Sequence, residues 1–349
     1  MAKNRTLPKD FEDLLKEGDL AKLKAVFEKC SLDARGGFSK QTALAFEDCP
    51  DELARWLIEQ GLDISAVDSR GSTPLRSRAR SWRGRIAGLI SLGADVNQGD
   101  GEKGTALHAA AGAHHEENVK ILLENGARVD ALDKLSMTPL EYALQMTSNA
   151  TIERMAMVAD LLLTAGASKR PAMKEFVTRI GTNFEFHRSN FNPESLDATS
   201  AALDHLYELF DVAQVQRRSM HDGISPIVAK ASRWEDRHQE LWQLLVPSSG
   251  AAQTVQGEVI RISGRIASEL EGNGGVNWDE QFRQMTDAWL THIKSGNPLS
   301  PAETDEAASL VKEIKGRNGN TRRMCELATT WVMNNPNPVP LPKPTPYER

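Results

Sequence analysis

Arginine and tryptophan crowd one short window: Arg76, Arg78, Arg80, Arg83 and Arg85 surround Trp82 within ten residues, and Arg70 precedes them. A planar guanidinium forks onto carboxylates or phosphates and an indole buries a large area, so together these types predict a binding patch suited to an acidic protein surface. The alternative lays the long stems along the surface with their heads paired to Asp68, Asp95 and Asp100.

A second constellation, Glu258, Arg261 and Arg265 with Glu269, repeats at steps of three and four residues. That spacing suits either a polar site or a ladder of helical ion pairs. His114-His115-Glu116-Glu117 has metal-ligand types, but adjacent helical residues diverge and chelate poorly, so no metal is expected there. His221-Asp222 and Ser248 suggest a serine nucleophile without the elbow motif that would expose it. Pro247–Gly250 and Gly272–Gly275 lack the spacing of a phosphate loop and read as turns; no cofactor or small-molecule substrate is implied.

The elements that must hold these residues belong to a chain of 349 residues, long enough for two domains. Its net charge of −6 is spread along the sequence, which disfavours nucleic acid as the general partner. Cys30, Cys49 and Cys325 are too few and too far apart for a disulfide framework. Met1 to Asp10 has no apolar core of a leader, and no run is long and apolar enough for a membrane span; a cytoplasmic location is expected.

Thr-x-Leu recurs at Thr42, Thr73, Thr105 and Thr138, at steps of 31, 32 and 33 residues. Glycines at 61, 93, 126 and 166 each follow an apolar run, at steps of 32, 33 and 40. Thr105-Ala-Leu-His-Ala-Ala110 and Thr138-Pro-Leu-Glu-Tyr-Ala143 then resemble the ankyrin repeat in period and wording. Threonine before proline suits a capped first helical turn, and glycine suits the left-handed residue that ends a helix. The resemblance implies about five units, at 8–35, 36–68, 69–100, 101–134 and 135–170. It also implies that Asp68, Ser69, Arg70, Asp100, Glu102, Lys103, Asp133 and Lys134 occupy turn tips on a concave contact face, and that His108 is structural. The third unit departs from the pattern, with Arg76 at the signature histidine and Arg78 at a small alanine.

After residue 170 the ladder stops, and longer helical patterns suggest an all-helical domain over 171–334. Its wording around Leu241 to Trp278 resembles bacterial helical domains of unassigned function. Within it, Val255, Val259, Ile262, Ile266 and Leu270 form one helical stripe, and Gly257 and Gly264 would let helices approach closely. The alternating prolines of 335–349 predict an extended tail, mobile or serving as a docking ligand. The expected fold is all-α: an ankyrin solenoid on 1–170, then the helical domain. The expected function is binding of a protein partner, in one version as a bacterial antitoxin or immunity-type inhibitor. The competing class is an enzyme in the helical domain for which the repeats select the substrate.

Overall fold

Threonine caps set the first half of the molecule. The computed structural model describes residues 3–99 and 104–348, in two compact units: Met1–Phe184 with Asn192–Val215, and Glu185–Phe191 with Gln216–Arg349. In the first, β1 (Asn4–Thr6) is followed by α1 (Phe11–Glu17) and α2 (Leu20–Lys29), and then β2 (Cys30–Arg35) lies parallel to β1. This small sheet was not foreseen in the opening unit.

Helix pairs follow. A 3-10 turn, Ala43–Ala45, stands with α3 (Asp51–Glu59); α4 (Pro74–Arg80) with α5 (Ala87–Ser91); α6 (Ala106–Gly112) with α7 (Glu116–Glu124); and α8 (Pro139–Met146) with α9 (Ile152–Thr164). Thr42, Thr73, Thr105 and Thr138 stand at the N-caps, and Thr73 and Thr138 accept the N–H groups of Arg76 and Glu141. Second helices end on Gly61, Gly93, Gly126 and Gly166, all with φ between +81° and +100°, a conformation a side chain would strain. First helices pack on first helices, and Leu44, Leu75, Leu107 and Leu140 are sealed between them. Each such leucine contributes on the order of 2 kcal/mol through burial.

The stack does not stop at residue 170. Two longer helices, α10 (Pro171–His187) and α11 (Pro193–Phe210), add a further pair: Arg179 donates to the carbonyls of Leu144 and Gln145, Thr199 donates to Glu153, and His205 meets Asp160. The expected boundary at 170 therefore falls inside the first unit.

The second unit holds α12 (Trp234–Leu245), α13 (Val255–Ala267) with a π turn over Ser268–Gly272, α14 (Glu280–Ile293), α15 (Pro301–Lys315) and α16 (Thr321–Asn334). α13 touches α12, α14 and α16, and every residue from Thr254 to Ser263 is buried. Gly264 is required by that packing, because a β-carbon there would stand 2.3 Å from the Trp242 ring. The stripe expected on α13 joins Trp289, Trp331, Phe282 and Leu327 in one core.

The proline-rich tail, expected as an extended segment either mobile or serving as a docking ligand, is bound within its own unit. Val255 N–H donates to Val339 O at 2.8 Å, Leu341 N–H to Gln253 O at 2.9 Å, and the Gln256 side chain grips the carbonyls of Asn335 and Asn337. Leu341 and Tyr347 are buried in the bundle core. Prolines lack an N–H, but their carbonyls and the non-proline N–H groups between them still pair.

Candidate functional site

The arginine window divides into three parts, and two of its arginines are not surface groups. Arg76 is buried: Nε donates to Gly104 O at 3.2 Å and a terminal nitrogen to Ser72 Oγ at 3.0 Å. One repeat on, His108 accepts the Thr105 N–H on Nδ1, which leaves Nε2–H to donate to Met137 O at 3.1 Å. Gly104 and Met137 each precede the capping threonine of the following unit, so Arg76 makes the bond between repeats that His108 makes. Glu141 completes the series, receiving Arg170 at 2.5 Å. The departure from the family wording thus leaves the register of the third unit intact.

Arg78 is wholly shut from solvent, with Nε donating to Leu44 O at 2.7 Å and Nη1 to Arg85 O at 3.2 Å. Gly84 makes room for it: a β-carbon there would lie 2.1 Å from Arg78 O. Burial pushes the neighbouring Cys49 thiol up to about 11, against the pull of the Arg78 charge. Arg76 and Arg78 are therefore corrected from partner contacts to internal braces, because acceptors of their own and of adjacent units take up their Nε and Nη1 groups where no water reaches.

The turn tips lie at one end of the helix pairs. Asp68 and Asp133 spend a carboxylate oxygen on the N–H groups of their own turns, those of Arg70 and Ser72 and of Leu135 and Met137. Asp68 is buried by this work, so its role is turn geometry. Ser69, Arg70 and Lys134 are exposed; Ser69 also donates to Ser39 O and ties two tips together. Asp100, Glu102 and Lys103 lie outside the described residues. Sequence reasoning missed the apolar tips, Phe38 at 89% exposure, Leu135 at 71% and Leu132 at 59%. The Arg70 guanidinium sits 4.9 Å from the Phe38 ring centroid. Their signal was an apolar residue inside an otherwise polar turn.

The loops within units gather at the opposite end of the pairs. There Trp82, 54% exposed, stacks on His115 at 5.0 Å and receives the Arg154 guanidinium at 4.4 Å. Arg83 pairs with Asp48 at 3.0 Å, Ser81 donates to Glu47, and Arg80 is exposed. They border a groove of about 900 Å³ whose walls carry Glu47, Asp48, Asp51, Glu52 and Glu117 against Lys16, Arg83 and Arg85. Carboxylates outnumber cations here, so Arg83 faces acids of its own chain. His114 is buried and donates through Nε2 to Ala143 O, while burial lowers its pKa.

In the second unit Glu258 and Arg261 meet as the spacing allowed, but inside the protein. Arg261 donates from Nε at 2.8 Å and Nη2 at 2.6 Å, and Tyr347 Oη–H and Ala252 N–H complete the shell of the carboxylate. Burial pushes the Glu258 carboxyl up, yet Arg261, Tyr347 and Ala252 together hold it below the usual range. The pair anchors the tail, whereas Arg265, one turn on, is half-buried. His221 accepts the Gly223 N–H on Nδ1, and Asp222 is taken up by Ile224 and Ser225. An acid holding His221 through Nδ1–H for Ser248 is therefore not assembled.

No helix among the described residues is long and apolar enough to cross a membrane. Palmitoyltransferase Hip14 of Drosophila melanogaster is 37% identical over 87 residues, which are 25% of this chain and 13% of that protein. A Treponema pallidum (strain Nichols) protein described as ankyrin repeat-containing is 31% identical over 123 residues, 35% of this chain and 41% of the relative. The chain thus spans less than half of either relative. A crystal structure of an ankyrin repeat domain from Acinetobacter baumannii AYE covers 56% of this chain and 96% of its own, at 22% identity and a TM-score of 0.40. A family model described as ankyrin repeats, in three copies, matches residues 81–170. Residues 81–170, which hold the capped helix pairs from α5 to α9, are thus the part of the first unit that matches ankyrin repeats.

Proposed function

We propose that the chain is a protein-binding module that docks its partner on the turn-tip edge of the ankyrin array. The observation that carries this reading is the set of exposed apolar tips, Phe38, Leu132 and Leu135, with Arg70 seated on Phe38. These side chains fill no core, and an array of repeats offers such an edge as one extended surface. Ser69, Arg70 and Lys134 supply polar contacts around them, while Trp82 and Arg83 belong to a second, more acidic edge. In its narrower form the reading makes the chain an immunity-type inhibitor that covers a toxin's working surface.

The test is capture from the native host with the full chain and with the double variant Phe38→Ser/Leu135→Ser, followed by titration of the captured protein. Truncating two central apolar contacts should weaken binding at least tenfold. Equal affinity of the two forms would sink the reading. For the narrower form, co-expression with a toxic partner should restore growth only with the parent chain.

A further inference from the structure

Where the tip edge begins, a hollow of about 520 Å³ opens between β1, the start of α1 and the first turn. Arg5, Lys9, Arg35 and Lys40 surround it, Glu12 is its one carboxylate, and Leu7, Phe11 and Phe46 form its apolar wall. Among the described residues no carboxylate pairs with any of the four cations. Arg35 instead donates to Lys40 O at 3.1 Å and Val67 O at 2.6 Å, which leaves its charge unneutralised. In a chain of net charge −6 such a concentration is not the average surface.

Lys40 adds a separate observation. It stands in the left-handed region at φ 50°, at the turn position where the third unit has Gly71 at φ 79°. A lysine there costs on the order of 1 kcal/mol relative to glycine, and the fifth unit holds Ser136 at φ 58° at the same turn position.

We infer that this hollow receives an acidic segment of the partner protein, its carboxylates on Arg5, Lys9, Arg35 and Lys40. The inference rests on the turn-tip docking reading and names the chemistry of its first contact. Carboxylates take up the unpaired guanidinium and ammonium groups with charge-assisted bonds. A nucleic acid would call for a longer cationic track and exposed aromatic platforms, whereas Phe11 and Phe46 are buried up to their edges.

Fluorescence anisotropy on the full chain, with a labelled peptide carrying leucine between glutamates, tests it. Binding should be lost on replacing the glutamates by glutamines and should weaken several-fold between 50 and 200 mM salt, about the range over which surface charges become screened. Arg5→Glu/Lys9→Glu should reduce affinity at least tenfold. Lys40→Gly should also reduce it several-fold while the melting temperature holds or rises, which separates lost charge from lost fold. Equal binding of the glutamine peptide, undiminished binding by Lys40→Gly, or displacement by single-stranded DNA at lower concentration than by unlabelled peptide would overturn the inference. If Arg5→Glu/Lys9→Glu still captures the native partner but Phe38→Ser/Leu135→Ser does not, the hollow is wrong and the docking edge stands. If both double variants still capture it, the docking reading itself fails.

Discussion

Arg78 in the array of capped helix pairs and Arg261 in the helical bundle are equally shut from water, yet the two regions answer their charges differently. Around Arg78 the acceptors are the carbonyls of Leu44 and Arg85, and among the described residues no carboxylate bonds it. Arg261 has a carboxylate, Glu258, which also accepts from the Ala252 N–H and from Tyr347 near the end of the sequence. An array built of repeats presents spare carbonyls at every junction, so a long donor can be absorbed locally. A bundle folds its carbonyls into long helices and must bring a charged partner, here secured by a segment nearly ninety residues away.

The contrast is most sharply broken by removing the partner in the bundle. Glu258→Ala leaves Arg261 buried and unpaired and frees Tyr347, and should cost about 3–5 kcal/mol by denaturant unfolding. Arg78→Met removes a buried charge without stranding an opposite one; it leaves two carbonyls short of a donor and should cost about half as much. If Arg78→Met proved the costlier of the two, the array would depend on its arginine charge in a way that the carbonyl shell does not describe.

Acidification comes next in size. His238 in the bundle touches Ser263 Oγ at 3.1 Å, and burial pushes its pKa down to about 4. An unfolded chain protonates this ring near pH 6.5. Between these values the unfolded state holds the extra proton, so the stability owed to the neutral ring is complete above about pH 6.5 and lost as pH falls toward 4. The loss should reach roughly 3 kcal/mol at most. His238→Gln should flatten the change in melting temperature between pH 7 and pH 5; an unchanged slope would assign the acid sensitivity elsewhere, His114 of the array being next because burial lowers it in the same direction.

Features that act within one turn of chain were legible before the structure. Thr73, Thr105 and Thr138 cap their helices, because these bonds join residues three apart. What was illegible depends on distant partners. α10 and α11 join the array through Arg179, Thr199 and His205, whose acceptors are set by packing. The tail reads as unattached because its prolines carry no N–H, and Gln256, which grips it, lies some eighty residues earlier. Arg76 and Arg78 read as exposed because arginine usually is; their burial depends on the carbonyls of Gly104 and Leu44, about thirty residues away in the neighbouring units. Of the candidate surface, Arg70 and Lys134 were found by position, while Phe38 and Leu135 were passed over because apolar residues in turns leave no periodic trace.

The smallest expected effect is also the most direct test of equivalence between repeats. If Arg76 does the work of the signature histidine, Arg76→His should place a ring nitrogen near Gly104 O and change stability by less than about 1 kcal/mol, the net worth of one neutral hydrogen bond. Arg76→Ala removes the donor to Gly104 O and to Ser72 and should cost about 1–3 kcal/mol, since both acceptors are then left unpaired in a buried junction. Chemical denaturation of the two variants side by side measures the difference. Equal losses would mean that the third junction needs the arginine itself, through its length or its charge, and that the third unit follows rules unlike those of the fourth.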